Sequence, residues 1–187
     1  MNINNDTIYR LSAGNYEIET RVASGYGAYR AAVSPDGMLL AVSNWGDESI
    51  SLFGTTALAP IARIKVGIRP NDLVFGPDGR LFVSNAGSNS VSIIRQNRVV
   101  ETIKTSLVPS DPVGSTPDAV AVNCDGTRLF VANADNNDVA VIDISKPDHS
   151  QVLGFIPTGW HPSALCRHCK GIGFPRQRSN GETLERG

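Results

Sequence analysis

The chain has 187 residues, of which 41% are hydrophobic, 19% charged and 6% aromatic, with a formal net charge of −1. That apolar content excludes a disordered tail, and Gly 18 with Pro 11 falls far short of a collagen-like bias. The near-neutral balance lacks the Lys/Arg excess of a nucleic-acid surface, and no run of about 18 apolar residues is present to span a membrane.

In chain order, the first stretch is TIYRLSAGNYEIETRV (7–22), two short β-rich runs around a turn. The opening MNINNDTIYRLSAGNYEIETR has no basic region followed by an apolar one, so it is not a signal peptide. Either the protein stays in the cytoplasm or the chain lacks its natural start. Next come AAVS (31–34), LLAVS (39–43), SISLF (49–53) and IARIKV (61–66). The same four-run order returns as DLVF (72–75), LFVS (81–84), SVSII (90–94) and VVETI (99–103). It returns again as DAVAV (118–122), RLFVA (128–132), DVAVID (138–143) and QVLGFI (151–156). All are short, Val/Ile/Phe-rich and bounded by Gly, Pro, Asn or Asp, as strands are. No segment shows apolar residues at helical spacing over ten positions or more.

Three landmarks keep step with these runs. Gly-x-x-Pro occurs at Gly67/Pro70, Gly114/Pro117 and Gly159/Pro162, with prolines 47 and 45 apart. Asp-Gly occurs at Asp36-Gly37, Asp78-Gly79 and Asp125-Gly126, 42 and 47 apart. Asn44, Asn85 and Asn133 each close an apolar run. Asp-Gly supplies a positive φ between adjacent strands, and Pro opens a strand where no ladder donor is needed. The asparagines are expected to enter the left-handed region and bond their own backbone. Four strands per repeat of about 45 residues is the unit of a β-propeller blade, whereas a sandwich has no reason for that superperiod.

The expected fold is therefore all-β, a partial β-propeller. Its domain is expected over 1–165, with blades near 28–66, 70–104 and 117–157. Residues 7–22 are expected to be the outer strands of a preceding blade, and 162–165 the start of a following one. Past Leu165 the alternation fades into CRHCKGIGFPRQRSNGETLERG, and 166–187 is expected to be an irregular or disordered tail, as a frameshifted or truncated reading frame would give. Propellers close with about 4–8 blades, so the chain is expected to be a fragment whose end blades expose apolar faces open to self-association.

SPDGMLLAVSNWGDESISLF, GPDGRLFVSNAGSNSVSII and CDGTRLFVANADNNDVAVID resemble the bacterial YVTN-type propeller repeats, within the WD40/YVTN repeat-like class. The stretch 114–145 followed by GFIPTGWHP is similar to propellers that precede a phosphoesterase domain. The resemblance covers about residues 25–165. It implies a seven-bladed parent, an interaction or binding role, and full-length relatives that are often exported.

Chemistry-bearing constellations are sparse. Cys166-x-x-Cys169 with His168 is the one metal-like cluster, and half of a zinc site is too little, so neither a metal nor a cofactor is assigned. Cys124 stands apart from it. His149 and His161 lie in turns, no G-x-S-x-G or H-E-x-x-H is present, and the inner runs AAVS, LVF and AVAV read as apolar. A non-catalytic scaffold for a protein or small molecule is the preferred function. A lactonase-like propeller hydrolase and the front of a phosphoesterase are the alternatives. In a four-stranded meander the loop before strand one and the loop between strands two and three share one end. Trp45, Arg69, Asn85, Asn133, Trp160 and His161 are thereby the candidate ligand-binding residues at the channel mouth.

Overall fold

The computed structural model describes residues 5–106, 114–168 and 171–173. The strands run β1 (Thr7–Leu11), β2 (Ile18–Ala23), β3 (Ala28–Val33), β4 (Leu39–Asn44), β5 (Ser49–Gly54) and β6 (Ala59–Lys65). They continue as β7 (Pro70–Phe75), β8 (Leu81–Asn85), β9 (Ser90–Arg95), β10 (Arg98–Lys104), β11 (Pro117–Val122), β12 (Arg128–Asn133), β13 (Asp138–Asp143) and β14 (Gln151–Pro157). Two short strands, β15 (Cys166–His168) and β16 (Gly171–Gly173), follow. Three antiparallel four-stranded meanders result, β3–β6, β7–β10 and β11–β14, with the pairs β1–β2 and β15–β16 beside them. The only helical elements among the described residues are single 3-10 turns at Ala86–Ser88 and Ala134–Asn136. No helix among the described residues is long and apolar enough to cross a membrane.

The sheets stack face to face, which explains why their middle strands are apolar on both sides. Along a strand successive side chains point to opposite faces. Leu81 and Val83 of β8 pack with Ala41, Ile50 and Leu52 of the first meander. Phe82, one residue out of phase, packs with Val120, Val122, Leu129, Val131 and Ile142 of the third. Ile8 of β1 meets Ala28, Val42 and Phe53 in the same way. Strands β3, β7 and β11 lie side by side as the inner edge of the stack. The all-β partial propeller is the fold observed.

The β1–β2 pair shares one backbone feature with the outer strand pairs of the three meanders. The N–H groups of Val66, Thr105 and Thr158 donate to the carbonyls of Glu48, Asn89 and Asn137, and that of Ser24 donates likewise to Asp6. Asp6, Glu48, Asn89 and Asn137 all sit at positive φ, between 47° and 55°. Strands β1 and β2 thus correspond to the third and fourth strands of a meander.

The Asp-Gly turns form with Gly37, Gly79 and Gly126 at φ of 72–80°. The asparagine expectation is corrected. Asn85 and Asn133 are extended, at φ −111° and −91°, and the left-handed residue comes four places later. Asn44, Asn85 and Asn133 are fully buried instead. A second correction concerns the tail. Cys166–His168 pairs antiparallel with Gly171–Gly173 where an irregular segment was expected. Residues 169–170 and 174–187 lie outside the described residues.

Candidate functional site

Two loops of each blade are clamped together at one end of the stack. Ala86 and Gly87 donate their N–H groups to the carbonyls of Arg69 and Ile68. Trp45 and Gly46 do so to Gly27 and Tyr26, and Ala134 and Asp135 to Thr116 and Ser115. The residue before each inner strand is in the left-handed region, Gly27, Arg69 and Thr116, and so is His161 before Pro162. That conformation turns the chain inward, and three of the four positions hold it without glycine.

Of the predicted mouth residues, Trp45 and Arg69 come together, the guanidinium lying 5.0 Å from the indole centroid. Trp160 is 84% exposed. His161 donates its backbone N–H to Asn137 Oδ1 at 2.7 Å, and its Nδ1 lies 3.7 Å from Asp135 Oδ1. Asn85 and Asn133 are at 0% exposure beneath these loops. Asn85 Nδ2 donates to Ser90 Oγ at 3.2 Å and Ser92 Oγ at 2.9 Å, while its Oδ1 accepts the Gly67 N–H at 3.2 Å. Gly67 is glycine because a Cβ there would stand 2.7 Å from the Asn85 side chain. Asn133 Nδ2 donates to Thr105 O and to Asp138 Oδ1, each at 2.8 Å. These two asparagines hold the loops from inside and present no surface to a ligand. Cys166 is exposed, Cys169 lies outside the described residues, and no group of three potential metal ligands exists among the described residues.

The inner strands are not uniformly apolar, and this corrects the reading of AAVS, LVF and AVAV. Each first strand carries a bulge at its second residue: the register skips from Ala28 to Arg30, from Pro70 to Asp72 and from Pro117 to Ala119. The skipped residues are Tyr29, Asn71 and Asp118. A bulge leaves one residue out of the ladder and re-aims its side chain. With Arg30, Asp72 and Ser163 they line a cavity of about 190 Å³. Asp72 ties three blades together, its Oδ1 3.1 Å from Arg30 Nε and its Oδ2 accepting the Val120 N–H at 3.1 Å. Asn71 Nδ2 donates to Asp118 Oδ1 at 2.7 Å. The available signal was positional: these polar residues stand one or two places after the residue that opens each first strand.

Burial raises the Asp72 carboxyl above its usual range, against the Val120 N–H and the Arg30 charge, and burial raises Asp138 likewise. A raised folded value means that the native state holds its proton to higher pH than the unfolded chain. These two groups therefore make stability fall as pH rises from the unfolded to the folded value, with no further change above it. Asp36, Asp125 and Asp143 have the opposite sign, lowered chiefly by the side-chain hydrogen bonds of Ser34, Thr127 and Ser145. Their contribution is lost as pH falls through their folded values. Asp72→Asn is expected to remove part of the downward slope and leave the rising one steeper across about pH 3–7, measured by urea unfolding at stepped pH. An unchanged profile would show that Asp72 titrates as it does in the unfolded chain.

No known protein family matches the chain, and no curated protein does. Solved structures do match in fold. Hydrazine synthase from Kuenenia stuttgartiensis is 25% identical with a TM-score of 0.68, over 86% of this chain and 45% of that one. A putative 6-phosphogluconolactonase from Bacteroides fragilis is 17% identical with a TM-score of 0.72, over 88% and 55%. Virginiamycin B lyase from Staphylococcus aureus is 17% identical with a TM-score of 0.69, over 88% and 54%. The chain spans about half the length of these structures.

Proposed function

We propose that the chain is a YVTN-type segment of a larger bacterial propeller and serves as a non-catalytic binding scaffold. The observation that carries this reading is the repeated bulge, which brings polar side chains from neighbouring blades to one cavity and ties most of them to each other. Asp72 has both oxygens engaged, and Asn71 is bonded to Asp118. Groups fixed in this way suit holding a ligand more than moving protons, since a general base must face the proton that it takes. The Trp45–Arg69 pair and the exposed Trp160 offer a protein partner or a small molecule a stacking surface at the same end of the blades.

A second reading, a sugar-lactone hydrolase, draws on the putative phosphogluconolactonase neighbour and on Asp72, whose raised carboxyl is a feature of acid–base residues. Lactone hydrolysis by the full-length parent distinguishes the two. The scaffold predicts a rate equal to the spontaneous one. A rate well above it that disappears in Asp72→Asn would establish the hydrolase.

A further inference from the structure

We propose that the cavity at the inner-strand bulges binds a small primary ammonium group, held by Asn71 and Asp118. This rests on the scaffold reading and gives it a ligand class. Three observations lead there. The first is unmet hydrogen-bonding capacity. Asn71 Oδ1 is buried and accepts no hydrogen bond. Asp118 Oδ1 accepts from Asn71 Nδ2, and among the described residues Asp118 Oδ2 receives nothing. Asn71 Oδ1 is the buried acceptor left without a donor, which is costly, and Asp118 Oδ2 is a carboxylate oxygen still open on its bonded neighbour, so a ligand that donates suits both.

The second observation is charge. Arg30 is the one cation lining the cavity, against the carboxylates of Asp72 and Asp118. Its Nε is already committed to Asp72. An incoming anion would meet Asp118 uncompensated, whereas a cation completes the balance. A phosphate-bearing ligand is disfavoured on the same ground.

The third is shape. The volume, about 190 Å³, admits an ammonium on a short carbon chain, and Tyr29 contributes an aromatic wall. Aromatic faces attract ammonium groups. Ala119, Ala164 and Leu165 supply an apolar lining for the carbon chain. The bulge, rather than the regular ladder, aims Asn71 and Asp118 into this space.

The test is calorimetric titration of the 187-residue chain with ethylammonium chloride, sodium acetate and inorganic phosphate at matched ionic strength. Ethylammonium is expected to bind, and acetate and phosphate are expected not to. Asp118→Asn, which keeps an acceptor for Asn71, is expected to weaken ethylammonium by about tenfold or more, as loss of a charged hydrogen bond does. Unfolding in urea checks that this variant remains folded. Equal affinity in wild type and Asp118→Asn would overturn the proposal, and so would no binding of ethylammonium. Acetate or phosphate binding that is lost in Arg30→Gln would also overturn it while leaving the scaffold standing. Lactone turnover, by contrast, removes the scaffold itself.

Discussion

Phe82→Ala is expected to lower the unfolding free energy by about 3–5 kcal/mol, as truncation of a buried phenylalanine does in a close-packed core. Phe82 has no exposed surface and reaches from β8 across to Val120, Val122, Leu129, Val131 and Ile142. These belong to a different sheet, so the vacancy would open between two blades and not within one. The sheets are each held by their own ladders, and the space between them is filled by side chains alone. The loss is a large share of the roughly 5–15 kcal/mol that holds a typical domain together. Leu153→Ala is the control: Leu153 is 52% exposed, and its truncation is expected to stay within about 0.5 kcal/mol. Urea midpoints with an unchanged m-value measure both. A Phe82 loss no larger than the Leu153 one would mean that the second and third sheets do not share a core.

The same packing explains which parts of the molecule could be read from the chain. Asp36-Gly37, Asp78-Gly79 and Asp125-Gly126 were legible because a two-residue turn between antiparallel strands demands a positive φ, and glycine provides it locally. Strand identity was legible because Leu81, Phe82 and Val83 are all buried, so both faces need apolar side chains. What was not legible depends on neighbours in space. Asn85 looks like a turn residue until the Gly67 N–H and the Ser90 and Ser92 hydroxyls surround its carboxamide. Asn71, Asp72 and Asp118 look like polar strand ends until the bulges and the adjacent inner strands draw them together. A bulge adds one residue without changing composition, so no periodicity announces it. Trp45 and Arg69, 24 residues apart in the chain, lie on loops of neighbouring meanders and meet across the space between two sheets; strand order places both loops at one end, but only the stacking of the sheets brings the pair together.

Asn85→Ala is expected to cost about 2–4 kcal/mol, since it leaves the half-buried Gly67 N–H without its acceptor and takes a donor from two buried serine oxygens. The two serine oxygens lose the donor from which they accept, and the Gly67 N–H cannot turn to another acceptor. Asn85→Asp separates hydrogen bonding from burial of charge. It keeps the shape and the acceptor for Gly67, and Ser90 and Ser92 can turn to donate to the new oxygen. A fully buried carboxylate with no cation is nevertheless strongly disfavoured, so its folded pKa must rise. Asn85→Asp is thus expected to approach wild-type stability in acid and to lose it as pH rises through that raised value, which urea unfolding at about pH 4 and pH 8 would display. The loop holding Ile68 and Arg69 is clamped to Ala86 and Gly87 directly after Asn85, so this substitution also loosens the mouth. The Asn71 bulge lies opposite the Asn85–Ser84 step of the ladder, but the Asn85 carboxamide is engaged with Gly67, Ser90 and Ser92 and not with Asn71 or Asp118, so ethylammonium binding is expected to survive in the folded fraction. Loss of that binding at unchanged stability would instead make Asn85 a ligand contact and reverse the internal role that its burial assigns.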